Sequence, residues 1–259
     1  MDDLTLVVVV TLIAGSATGL GAIPIFFQRT VDHRTYDAGL GLAAGIMLAA
    51  SVFGLIVPGL EAGTLVAVVA GVFVGGFFLL IANRLLPHLH THFRGFKPEG
   101  GADPSSETDS RFRQALLIGT AITLHNAPEG LAIGIAFAAG LEEIAIFLAI
   151  VIAIQNVPDG FAFAIPVADA GIRPRTTLLL TVLSGAVPEV LAAVFGFLLV
   201  TIATGLFPVA AGFAAGAMLA VIFREMIPLS HGHGYADEAT AAFLVGFSLI
   251  VIVDVWFAL

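Results

Sequence analysis

The sequence predicts an all-α membrane protein, with eight transmembrane helices in a 3+2+3 arrangement with inverted repeats, as a single domain over residues 1–259. Three observations predict it. The chain is 59% hydrophobic and only 11% charged, at a mean hydropathy of +1.05, whereas soluble domains carry roughly a quarter of their residues as charges. Eight stretches are apolar over the roughly 20 residues that a helical crossing needs. All ten basic residues fall at alternate connections between those stretches.

The first stretch, 4–27, follows an acidic Met1-Asp2-Asp3 and contains Pro24. A secretory signal would open on basic residues and close on a cleavable small-residue site, so this is read as a retained membrane helix. Spans 38–58 and 62–86 are divided by the turn signal Pro58-Gly59. Residues 87–112 mix Pro, Gly, Ser and acids without an apolar period, which predicts a mobile cytoplasmic loop. Spans 113–138 and 142–166 are split at Gly140-Leu141, and spans 174–204 and 207–229 at Phe207-Pro208. The last span is 238–258.

The bases Arg29, Arg34, Arg84, Arg94, Lys97, Arg111, Arg113, Arg173, Arg175 and Arg224 sit at connections 1–2, 3–4, 5–6 and 7–8. The other connections carry none, and the 4–5 turn carries Glu142 and Glu143. Positive loops stay cytoplasmic, so both termini are expected on the extracytoplasmic side of a multi-pass protein of the cell (plasma) membrane. Nucleic acid is excluded as a partner by the lack of a basic patch, leaving the lipid bilayer as surroundings. With no cysteine, disulfides and thiolate metal ligands are excluded.

Two repeats run through the chain. AAGIMLA at 43–49 returns as AAGAMLA at 214–220, and HNAPEG at 125–130 returns as QNVPDG at 155–160. With eight crossings, each pair lies on helices that run in opposite directions. Inverted repeats are a recurring plan of secondary transporters, with substrate near the midplane between the halves.

The second repeat carries the chemistry. A carboxylate at the bilayer centre costs roughly 3 kcal/mol on insertion scales. Glu129 and Asp159, with His125, Asn126, Gln155 and Asn156, must therefore face one another rather than lipid. His125 stacks over Glu129 and Gln155 over Asp159, because i and i+4 share a helix face. Asn126 and Asn156 lie about 100° round on the flank. Pro128 and Pro158 release the carbonyls of Leu124 and Ile154 at the same depth, and Gly130 and Gly160 permit close helix approach. One imidazole, two carboxylates and three amide oxygens suit first-row divalent metals; Cu(I) would want sulfur, and Mg²⁺ oxygen and water alone.

On these residues, with the eight spans and a His-bearing 3–4 loop, the chain resembles the ZIP (Zrt/Irt-like) family of divalent metal transporters. The resemblance implies a binuclear site between spans 4 and 5. His125, Glu129, Gln155 and Asp159 would hold the first metal, with Met47 of span 2 nearby. Asn126, Glu129, Asn156 and Asp159 would hold the second, the carboxylates bridging. Gln155 and Asp159 stand where many relatives have His and Glu, and Asn156 is neutral where some carry an acid. The family pattern also puts a Glu after a Ser-Gly pair in span 6. Here the stretch is SGAVPEV, so Glu189 comes one position late, with Pro188 in its place. Glu225, His231 and His233 resemble the family's exit path, and His88, His90 and His92 its metal-collecting loop. Asn83 and Asp254 are intramembrane polar groups with no assigned role.

The resemblance implies alternating access, with spans 1, 4, 5 and 6 moving against 2, 3, 7 and 8, to carry Zn²⁺, Cd²⁺, Fe²⁺, Mn²⁺ or Co²⁺ into the cytoplasm. The metal is then cargo, no organic cofactor is expected, and small-residue faces on spans 3 and 8 permit a homodimer. Since ligands bind deprotonated, uptake should weaken at low pH. A membrane-embedded metalloenzyme would need an open metal position and a motif such as HExxH, which the sequence lacks. A metal-sensing receptor would leave the kinked, glycine-rich helices unexplained.

Overall fold

The computed structural model describes residues 3–27, 32–92 and 107–257. Among them there is no strand. Eight long helical segments follow one another: α1 Asp3–Phe26, α2 His33–Ala62, α3 Leu65–His92, α4 Glu107–Ala138, α5 Glu142–Asp169, α6 Pro174–Ile202, α7 Phe207–Ser230 and α8 Ala236–Phe257. Seven are long and apolar enough to cross a membrane by their described residues; α4 is the eighth long helix, at 32 residues.

The helices depart from the predicted spans where local chemistry intervenes. The second half of α1, Ala17–Phe26, is a tighter 3₁₀ helix, in a stretch broken by Gly19, Gly21 and Pro24. α2 starts five residues before the predicted 38. Asp32 caps it, its carboxylate accepting the Thr35 N–H at 2.6 Å, which holds the carboxyl below its ordinary range. The stretch expected as a loop, 87–112, is shorter than that: α3 continues to His92 and α4 begins at Glu107. Once a helix is nucleated, adding polar residues costs little.

Both α2 and α7 contain a wide π turn, at Val52–Ile56 and Ile222–Met226. Pro58 and Pro228 each lie two residues beyond the wide turn. Each proline ring would clash with the carbonyl four residues back, that of Gly54 or Arg224, and widening the turn relieves the clash.

Helix pairing obeys one symmetry. α2 packs on α8 and α7 on α3; α4 on α6 and α5 on α1; α2 on α5 and α7 on α4. Exchanging α1 with α6, α2 with α7, α3 with α8 and α4 with α5 returns the same set, as a 3+2+3 fold of related triplets requires. The AAGxMLA repeat has its cause here. A Cβ on Gly45 would lie 2.1 Å from the Phe243 carbonyl oxygen of α8, and one on Gly216 would lie 2.0 Å from that of Val72 on α3. Each half needs glycine where its second helix meets the outer helix of the other half.

The small-residue faces of α3 and α8, expected to permit a dimer, are thus used inside the chain: Gly71 and Gly75 meet α7, and Gly246 meets α2. What α3 and α8 present outward is larger, including Phe73, Phe77, Ile81, Leu244, Val245 and Ile252. Continuous exposed apolar surface of this kind belongs against lipid tails. Alanine-rich turns of α2, α4, α5 and α7 pack into the main apolar core around Met47, Leu148, Ile152 and Met218.

Candidate metal centre

The polar residues of α4 and α5 come together inside the bundle because two glycines let two further helices in. A Cβ on Gly130 would lie 2.0 Å from the Glu189 carbonyl oxygen of α6, and one on Gly160 would meet the Thr18 carbonyl of α1 more closely still. The first contact brings Glu189 to the level of Glu129. The second brings the Ala14 carbonyl within reach of Asn156.

The side chains so gathered are almost wholly withdrawn from solvent. Asn126, Glu129, Gln155, Asn156 and Glu189 are fully buried, and His125 is 4% exposed. Gln155 donates through Nε2 to Oε1 of Glu129. Asn126 donates through Nδ2 to the Ser184 carbonyl at 2.9 Å. Asn156 donates to the Ala14 carbonyl at 2.9 Å and to Oε1 of Glu189 at 2.6 Å. Carbonyls only accept, so these bonds fix which end of Asn126 and Asn156 is nitrogen.

What remains is a set of unpartnered acceptors: Asn126 Oδ1, Glu129 Oε2, Gln155 Oε1, Asn156 Oδ1, Asp159 Oδ2 and Glu189 Oε2, with both ring nitrogens of His125. Leaving a buried polar atom unsatisfied costs about 1–3 kcal/mol, and more if it is charged. No Lys or Arg occurs on α5, on α4 beyond Arg113 or on α6 beyond Arg175 to compensate. Oxygens and an imidazole with no Lys or Arg from these three helices beside them form a donor set suited to a borderline divalent cation. Among the described residues no three His, Asp or Glu groups are arranged to hold an ion by themselves. The amides of Asn126, Gln155 and Asn156 add three further unpartnered oxygens.

His125 stands between two carboxylates. Its Nε2 is 3.8 Å from Asp159 Oδ2, and its Nδ1 is 3.6 Å from Glu225 Oε2 of α7. Both separations are longer than a hydrogen bond. Glu225 is fixed from the other side by Asn83 of α3, whose Nδ2 donates to Oε1 at 2.5 Å. Sequence reasoning found no role for Asn83; only the contact between α3 and α7 reveals one. It also missed the Ser184 and Ala14 carbonyls, which as backbone atoms leave no mark in the residue pattern.

The remaining sequence candidates lie elsewhere. Met47 is fully buried in the apolar core, as is its repeat counterpart Met218. His231 is engaged locally, Nδ1 with the Ile227 carbonyl at 3.0 Å and Nε2 with Thr240 Oγ1 at 3.3 Å. His233 reaches Asp37 of α2. The side chains of His88, His90 and His92 lie outside the described residues. Asp254 is half-buried near the end of α8.

The ZIP Zinc transporter family model matches residues 101–254. The zinc transporter GufA of Myxococcus xanthus is 36% identical over 255 residues, covering 95% of this chain and 96% of its own length. The zinc transporter ZIPB of Bordetella bronchiseptica is 39% identical over 255 residues, covering 92% and 77%. The zinc transporter ZupT of Corynebacterium glutamicum is 38% identical over 204 residues, covering 73% and 74%.

Proposed function

Because the chain belongs to the ZIP zinc transporter family, and is therefore a multi-pass metal transporter, we propose that it carries Zn²⁺ into the cell through two adjoining sites between α4 and α5. The observation that carries the proposal is the set of buried, unpartnered acceptors on α4, α5 and α6, whose residues are tied to one another by the Gln155–Glu129 and Asn156–Glu189 hydrogen bonds. His125, Glu129, Gln155 and Asp159 hold the first ion. Asn126, Glu129, Asn156, Asp159 and Glu189 hold the second, with Glu129 and Asp159 shared. Related divalent ions such as Cd²⁺, Fe²⁺, Mn²⁺ and Co²⁺ fit the same donors and compete. The relatives compared are named as transporters, so the metalloenzyme and receptor readings have nothing to favour them.

The cycle is alternating access. α1, α4, α5 and α6 move as one body because glycine contacts bring α4 against α6 and α5 against α1 at backbone distance. α2, α3, α7 and α8 form the other body, joined by Gly45 and Gly216. Glu225 sits on that second body facing His125, placed to receive a cation that leaves the first site. The charge map puts this end in the cytoplasm and both termini outside.

Zinc flux into liposomes bearing the purified protein, read with an internal indicator, tests the proposal. His125→Ala and Glu129→Ala are expected to abolish it. Wild-type flux through both variants would show that the ion passes somewhere else.

A further inference from the structure

We infer that Pro188 of α6 is a positioning residue for the core: it frees the Ser184 carbonyl, which holds the Asn126 amide so that its oxygen is left for the ion. That an ion sits there is the reading proposed above, on which this inference rests. Asn126 is fully buried on α4, and its Nδ2 donates to the Ser184 carbonyl at 2.9 Å. Its Oδ1 is buried and has no hydrogen-bond partner. Inside an α-helix the Ser184 carbonyl would be taken by the N–H four residues on. That residue is Pro188, which has no N–H and whose ring crowds the Ser184 carbonyl off the helix axis. The helix continues from Pro174 to Ile202 around it, so the release is local. The freed carbonyl reaches α4 because Gly130 lets α6 approach at backbone distance.

The other half of the fold makes the same bond by different means. Exchanging α1 with α6 and α4 with α5 turns the Asn126–Ser184 bond into the Asn156–Ala14 bond, also 2.9 Å long. Both acceptors precede a glycine, Gly15 or Gly185, and the two glycines cross: a Cβ on Gly185 would lie 2.4 Å from the Gly15 carbonyl oxygen. The α-helical part of α1 ends at Ser16, so the Ala14 carbonyl is among the last four, which lack a partner along the helix. α6 does not end at this level, and a proline four residues on gives the Ser184 carbonyl the same freedom. Two unlike devices thus reach one result, an amide held by its nitrogen. An amide turned the other way would set its NH₂ against the cation. The Pro188-Glu189 order serves both groups: the proline orients Asn126, and the next residue carries the acid to Asn156.

The test is a double-substitution cycle on the full chain, read as KM for Zn²⁺ flux in liposomes and as melting temperature in chelator. Pro188→Ala returns the N–H, draws the Ser184 carbonyl back along the helix and lets the Asn126 amide turn. KM should rise about tenfold, as for other groups that orient a ligand. The melting temperature should stay at or above that of wild type, since proline is the poorer helix former. Asn126→Asp carries two oxygens and has no wrong end. Alone it sets an acceptor against the Ser184 carbonyl and should melt earlier than wild type. Adding Pro188→Ala to it should recover part of that loss and leave its KM unchanged, a coupling that a merely structural proline would not show. An equal rise in KM in both backgrounds overturns the inference, as does an unchanged KM in Pro188→Ala alone or a lack of coupling in the melting temperatures. Should Pro188→Ala fail to fold, Pro188→Gly returns the same N–H and leaves the bend possible; failure of both overturns the inference, because the proline then serves the fold itself. Wild-type flux in His125→Ala and Glu129→Ala sinks the ion reading instead, and the melting-temperature coupling of Pro188 with Asn126 still judges the geometry.

Discussion

Glu225 on α7 links the two halves of the bundle: Oε2 lies 3.6 Å from Nδ1 of His125, while Oε1 accepts from Nδ2 of Asn83 at 2.5 Å. The wide turn at Ile222–Met226 turns this carboxylate inward, and Asn83 holds it there. A group that orients a ligand without binding the ion contributes about 10- to 100-fold in affinity or activity. Asn83→Ala should therefore lower zinc flux by about tenfold. Asn83→Gln, which keeps the donor, should recover part of it. Equal flux in wild type and Asn83→Ala would remove Asn83 from the mechanism.

Gly130 tests how Glu189 reaches the site. Alanine there puts a Cβ 2.0 Å from the Glu189 carbonyl, against backbone that cannot rotate away. Overpacking of this kind costs about 1–3 kcal/mol. Gly130→Ala should lower the melting temperature and cut flux together. Gly205→Ala, with nothing within 4 Å of its Cβ, should change neither.

Asn156 tests the second ion. Its Nδ2 donates to the Ala14 carbonyl and to Glu189. Asn156→Asp replaces that donor with an acceptor facing two acceptors, at about 1–3 kcal/mol for each bond lost. A divalent cation would offset the added charge. The variant should melt earlier than wild type in chelator and show a larger upward shift when Zn²⁺ is added, by mass action on the native state. A shift no larger than in wild type would place the ion away from Asn156.

The pH dependence has a fixed sign. Bound ligands are deprotonated, so each ion captured displaces protons, and acid competes with metal. Uptake at low, fixed free Zn²⁺ should fall as pH falls, through a rise in KM, and excess Zn²⁺ should restore the maximal rate. A fall in maximal rate with KM unchanged would point to a titrating group outside the ion site.

The sequence by itself determined the number of crossings, the alternation of charge between connections, and the six residues of HNAPEG and QNVPDG that must escape lipid. Hydropathy and the cost of intramembrane charge act on each residue almost independently of its neighbours in space, so they can be read from one chain. Tertiary structure decided what depends on helix rotation and approach. Glu189 looked one position, about 100°, out of register, yet Gly130 seats α6 so that this carboxylate meets Asn156. Asn83 and Glu225 are 142 residues apart, and Asp37 and His233 are 196 apart. Neither pairing has a signature in sequence, because both arise where a π turn or a connecting loop meets a helix from the other end of the chain. The repeat AAGxMLA was visible as a string, but its cause was not: the two glycines exist for the backbones of α8 and α3, and only packing shows which neighbour a glycine admits.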